Sequence, residues 1–221
     1  MTSIILERTA AVLFDLDGTL VDSAPDLAGA VNALRISRGL EVLPLAQLRP
    51  YASHGARGLI GAGLSVVPEH PEFDALRNEF LDYYQSHACV ETALFDGMEH
   101  VLQTLEAHRI PWGIVTNKHE RFTKPLLEQL NLTNRAAVII SGDTAEHAKP
   151  HPAPLLLAAE RLGLSPEKLV YVGDDQRDIQ SAKAANYQLS IAAAYGYCQA
   201  DEVSLWQADF IVQQPEELLV I

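Results

Sequence analysis

The chain has 221 residues, of which 48% are hydrophobic and 20% charged, and its formal net charge is −13. These proportions suit a globular protein that buries its core without disulfides, and the length allows one large domain or a domain with a smaller insert. The negative charge speaks against nonspecific binding to nucleic acid or anionic membrane, and no apolar run approaches the ~20 residues that span a bilayer.

The first residues, 1–9, form a short lead-in. Their apolar stretch is broken by Glu7 and Arg8, and no basic segment precedes it, so it does not read as a signal peptide and a cytoplasmic protein is expected. Cys89 and Cys198 stand far apart and make no metal pattern, which fits thiols in a reducing compartment. Residues 10–15 carry the run Ala10-Ala11-Val12-Leu13-Phe14, short and apolar enough for a buried central strand. It leads into Asp15-Leu16-Asp17-Gly18-Thr19. Residues two apart on an extended chain point to the same side, so Asp15 and Asp17 can face one small volume, and Gly18 permits a sharp turn. Buried carboxylates are costly unless paired or bound to metal. An Asp-Gly pair also ends many strands in a plain turn, so this stretch alone leaves turn and site both open.

From 22 to 93 helical periodicity dominates. Leu27, Val31 and Leu34 recur at helical spacing, with Ser23 or Asp26 as candidate caps, and Phe73, Leu76, Phe80 and Tyr84 form a second stripe. Between them lies Ser53-His54-Gly55-Ala56-Arg57-Gly58, followed by a small-residue helix through Leu64. This is a helical insert of about 70 residues, a size that suits a small subdomain. Past 93 the rhythm becomes α/β. Helices are expected around 101–105, 122–130, 155–162 and 179–185, and strands over 112–116, 137–141, 169–172, 189–193 and 210–212. Pro152, Pro154 and Gly163 punctuate the third of these helices. The alternation predicts an α/β fold: a doubly wound, Rossmann-like parallel sheet built from 1–21 and 94–221, with 22–93 inserted after the first strand.

Ligands of such sheets bind beyond the carboxyl ends of the strands. The first strand ends in Asp15 and Asp17, the next in Thr116-Asn117, the third runs on to Lys149, and the fourth ends in Gly173-Asp174-Asp175 with Asp178 following. Thr116 and Asn117 taken alone could cap a helix, Lys149 could be a loop lysine, and the acids of 174–178 could face a helix dipole. Together they supply the carboxylates a hard cation such as Mg2+ takes and the ammonium and hydroxyl a phosphate takes.

In this order the motifs resemble the haloacid dehalogenase-like hydrolases over essentially the whole chain, with the insert where that superfamily carries a helical, C1-type cap. The resemblance implies that Asp15 is a nucleophile forming an aspartyl-phosphate. Asp17 would protonate the leaving oxygen and later help deprotonate water. Mg2+ would be held by the Asp15 side chain, the Asp17 carbonyl and Asp174, with Asp178 and, less clearly, Asp175 behind them. Thr116, Asn117 and Lys149 would bind phosphoryl oxygens. An acid at position 17 points to a phosphatase or a phosphomutase within the superfamily. A receiver-type signalling domain uses similar groups, but its motif order differs and it has no such insert.

Specificity is expected from the cap, where Arg57 suits a second anionic group and Gly55 and His54 flank it, although an ordinary helix-start loop with a surface arginine would look the same. Lys118 could face the cap or water. The chain is similar to the phosphoglycolate phosphatase branch and, within it, to the N-acetylmuramic acid 6-phosphate phosphatases, on Gly55-Ala56-Arg57, 112–118, 172–179 and Ala194-Tyr195-Gly196-Tyr197. The implied partner is a small phosphorylated metabolite, with no nucleic acid and no membrane, and either a monomer or a homodimer fits.

Overall fold

The computed structural model describes residues 3–221, so Met1 and Thr2 of the lead-in lie outside it. The rest of the lead-in is less plain than expected. It forms helix α1 (Ile4–Arg8), because the Ser3 hydroxyl accepts the Leu6 N–H as an N-cap. The chain separates into two compact units, Met1–Val21 with Leu94–Ile221, and Asp22–Ala93. It crosses between them at two two-residue strands, β2 (Val21–Asp22) and β3 (Ala93–Leu94).

The larger unit is built on a sheet of β1 (Ala11–Phe14), β4 (Trp112–Val115), β5 (Ile139–Ile140), β6 (Leu169–Gly173), β7 (Leu189–Ala193) and β8 (Phe210–Val212). All are parallel, in the order β5-β4-β1-β6-β7-β8. No residue of β1 is more than 1% exposed, as a central strand covered on both faces requires. Leu13, Val115 and Tyr171 pack with Leu155, Ala158 and Ala159 of α8 (Ala153–Leu162) and with Ala182 of α9 (Gln176–Ala184). Helix α6 (Met98–Ala107) lies against β4, and α7 (Glu120–Gln129) buries Phe122, Leu126 and Leu127. The doubly wound α/β fold is the one expected. The strand over 137–141 is shorter than expected because it is the sheet edge, although Ala137 N–H still donates to Trp112 O and Val138 O still accepts from Ile114 N–H.

The smaller unit contains α2 (Ala24–Ser37), α3 (Leu45–Leu48), α4 (Gly55–Leu64) and α5 (Phe73–His87), with a 3-10 turn over Arg49–His54. The expected stripes are its core: Leu27, Val31 and Leu34 of α2 and Phe73, Leu76, Phe80 and Tyr84 of α5 are all buried. Neither candidate cap behaves as one. Ser23 makes no side-chain cap hydrogen bond, and Asp26 sits inside the first turn, 7% exposed. The Asp26 carboxylate instead accepts from Val90 N–H (3.1 Å), Glu91 N–H (3.0 Å), Thr92 N–H (3.0 Å) and the Thr92 hydroxyl (2.6 Å). It ties the start of the insert to its end, two segments more than sixty residues apart in sequence that no local pattern could connect. Removing it leaves several donors unpaired, so Asp26→Ala should cost about 2–3 kcal/mol. Urea denaturation would show this as a lower midpoint, and an unchanged midpoint would mean that the clamp carries no stability.

Candidate active site

The register of three strands assembles the site. Phe14 lies level with Ile114 of β4 and Val172 of β6, so Asp15 emerges between the two neighbouring strand ends, its N–H donating to Val172 O at 2.9 Å. The order of strands reverses at β1, which makes this crevice the place where such a sheet takes its ligand.

Oxygens of Asp15, Asp174 and Asp178 lie within 4.8 Å of one another. Asp174 Oδ1 accepts from the Thr19 hydroxyl (3.1 Å) and Oδ2 from Tyr197 N–H (3.0 Å). Gly18 is essential to this arrangement. Its φ is +84°, and a Cβ there would stand 2.1 Å from Asp174 Oδ2. Burial first, and then the charges of Asp15 and Asp178, hold the Asp174 carboxyl well above the usual carboxylate range. Three buried or half-buried carboxylates with only oxygen donors are what a hard dication takes, and its charge would reverse that shift. The residues present therefore fit such an ion.

Lys149, 4% exposed, supplies the cation of the site. Its Nζ donates to Asp178 Oδ1 (2.6 Å), Tyr171 Oη (2.7 Å) and Val115 O (3.0 Å), and lies 3.0 Å from Asp15 Oδ1. Burial works against the ammonium, but Asp15 and Asp178 outweigh it and raise its pKa above the ordinary lysine value. Tyr171, whose hydroxyl also donates to Val115 O at 2.5 Å, carries no signal in the sequence, because a tyrosine inside a strand reads as core. Asp15 Oδ1 accepts from Leu16 N–H at 2.8 Å as well, which orients that carboxylate.

The remaining candidates take distinct places. Thr116 is 3% exposed, and its hydroxyl accepts from Lys118 N–H at 3.1 Å. The Asn117 side chain is bonded to the Lys149 backbone. Lys118 turns to Asp17, with Nζ 3.0 and 3.1 Å from the two carboxylate oxygens. Asp175 caps α9: it accepts from Arg177 N–H (2.8 Å) and pairs with the Arg177 guanidinium (2.7 Å), while Asp178 Oδ2 accepts from Asp175 N–H (3.1 Å). This reciprocal capping box starts the helix at Gln176, earlier than its apolar residues indicate. His54, Gly55 and Arg57 belong to the other unit. His54 ends the 3-10 turn, Gly55 opens α4 with φ +56°, and Arg57 is exposed with no ion pair among the described residues.

A family model, haloacid dehalogenase-like hydrolase, matches residues 12–192. The chain belongs to the haloacid dehalogenase-like hydrolase family. Its relatives in that family include a phosphoglycolate phosphatase of Xanthomonas campestris pv. campestris, 48% identical over 209 residues and 94% of each chain. An N-acetylmuramic acid 6-phosphate phosphatase of Pseudomonas aeruginosa is 40% identical over 96% of this chain and 94% of the relative. Among solved structures, a predicted phosphoglycolate phosphatase from Haemophilus somnus 129PT superposes with a TM-score of 0.82 at 26% identity, covering 96% of this chain and 97% of that one. The expectation of a phosphoric monoester hydrolase, made on Asp17, stands with these haloacid dehalogenase-like relatives. No helix among the described residues is long and apolar enough to cross a membrane.

Proposed function

We propose that the protein is a Mg2+-dependent, cytoplasmic phosphomonoesterase that works through an aspartyl-phosphate on Asp15. The observation that carries this reading is the placing of the Lys149 ammonium 3.0 Å from Asp15 Oδ1 beside the Asp174 and Asp178 carboxylates. A carboxylate can approach a phosphate dianion only where positive charge offsets their repulsion, and phosphoryl transfer depends mostly on such positioning and charge. Asp15 and Asp174 side chains and the Asp17 carbonyl would hold Mg2+, with Asp178 behind them, and the ion when bound would neutralise phosphoryl charge. The Asp15 carboxylate attacks phosphorus, the ester P–O bond breaks, and Asp17 passes a proton to the leaving oxygen. In the second half Asp17 takes a proton from the water that attacks the aspartyl-phosphate, releasing inorganic phosphate and restoring Asp15. Thr116, Lys149 and the backbone N–H of Asn117 bind the phosphoryl group. Lys118, through both oxygens of Asp17, keeps that carboxylate in place.

The substrate in this reading is a phosphomonoester that also bears a carboxylate, with Arg57 as the carboxylate ligand and N-acetylmuramic acid 6-phosphate as the first choice. A second reading, 2-phosphoglycolate, is favoured by the name of the relative at 48% identity. Phosphate release from these two compounds and from hexose phosphates decides between them. Arg57→Ala should raise KM for the carboxylate-bearing substrate by about tenfold to a hundredfold, the range for one charge-assisted hydrogen bond. KM for p-nitrophenyl phosphate should be unchanged, and an equal rise for both compounds would remove Arg57 as a specificity residue.

A further inference from the structure

The Asn117 side chain turns along the sheet toward the loop that carries Lys149. Its Oδ1 accepts from Lys149 N–H at 2.9 Å and its Nδ2 donates to Lys149 O at 2.9 Å. An amide that meets both backbone groups of one residue holds that residue the way a neighbouring strand would, in position and in orientation. Two other ties fasten the same loop to the same segment. Gly142 N–H donates to Lys118 O at 2.7 Å, and a Cβ at Gly142 would stand 2.1 Å from Asn117 O, so no other residue permits this approach. Asp143 Oδ1 accepts from Glu120 N–H at 2.8 Å, which caps α7 from outside the helix.

From the backbone so held, the Lys149 side chain runs into a buried place where Tyr171 Oη, Val115 O, Asp178 Oδ1 and Asp15 Oδ1 surround its Nζ. A small shift of the backbone would break several of these contacts together. The Asn117 amide has one bond at each end, both to Lys149, whereas its backbone N–H has no hydrogen-bond partner among the described residues. That N–H is the group Asn117 can offer a phosphoryl oxygen.

We propose that the side chain of Asn117 is a positioning device that acts through Lys149, holding the lysine backbone so that its ammonium reaches Asp15, and that it does not itself meet the phosphoryl group. This rests on the phosphomonoesterase reading, in which Lys149 acts on the transferring phosphate.

The test is a double-mutant cycle on the full-length protein with p-nitrophenyl phosphate, read as kcat and as the inhibition constant of inorganic phosphate. Asn117→Ala should lower kcat by about 10²-fold, the size of effect expected when a reacting group is displaced by about an ångström. In a Lys149→Met background the same change should alter neither quantity by more than about twofold, because residues that act as a unit do not add. Asn117→Asp is the second variant should the alanine protein fail to fold. It keeps the volume and the acceptor for Lys149 N–H, sets an oxygen against Lys149 O, and should show the same dependence on Lys149. Equal losses in both backgrounds would overturn the proposal, since a direct phosphate contact or a merely structural role adds to the loss of Lys149. Wild-type turnover in Asn117→Ala beside an impaired Lys149→Met would overturn it too, while leaving the phosphomonoesterase reading intact. Wild-type turnover in Lys149→Met would remove that reading, and the proposal with it.

Discussion

Asp15→Asn should abolish turnover, with kcat at least about 10⁴-fold below wild type, the scale seen when an essential nucleophile is removed. The neutral amide cannot form the acyl phosphate, while its size and its carbonyl oxygen, which can still accept Leu16 N–H, preserve the local structure. Lys149 keeps Asp178, Tyr171 and Val115 as partners in the variant, so its ammonium is not left unpaired. One of the negative charges that hold the Asp174 carboxyl above its usual range is also lost. The thermal midpoint should therefore stay within a few degrees of wild type, which separates loss of chemistry from loss of fold. Phosphate release within tenfold of wild type would remove Asp15 as the nucleophile.

Removal of divalent metal should be as severe. Protein treated with EDTA should release no phosphate from p-nitrophenyl phosphate, and excess Mg2+ should restore it. The physical reason lies in the carboxylates themselves: Asp15, Asp174 and Asp178 crowd their oxygens within 4.8 Å, and the Lys149 ammonium, bonded to Asp15 and Asp178, offsets only part of their charge. A dication relieves that repulsion, so binding should also stabilise the fold by mass action, about 2.7 kcal/mol at a hundredfold excess over Kd. A thermal melt should rise with Mg2+ in the wild type and stay flat in Asp174→Asn. Full activity in EDTA would contradict the metal dependence, and an Asp174→Asn melt that rises as in wild type would take Asp174 out of the ligand set.

Much of this was legible in the residues. The apolar run before Asp15, the stripes of α2 and α5, and the strand–helix alternation after 93 are short-range patterns, and burial follows them closely. The meeting of the strand ends was legible on a different ground: in a parallel sheet all the carboxyl ends fall on one side, so residues distant in sequence converge there. What could not be read were partners. Asp26 has the position of a helix cap, yet it holds the backbone of 90–92; Lys118 by its place in the chain could face the cap or water, yet it pairs with Asp17. Asp175 stood in an acidic cluster but faces Arg177 as a cap, and Tyr171 had no mark to separate it from core tyrosines until its hydroxyl met Lys149.

The family and the parallel sheet follow from residue order alone, because hydrophobic period and residue chemistry are local properties that a window of sequence contains. Which side chains touch is set by how the strands and loops pack. A hydrogen bond between Asn117 and Lys149 depends on two loops meeting within about 3 Å, a condition set by strand register and close packing that no window of sequence contains.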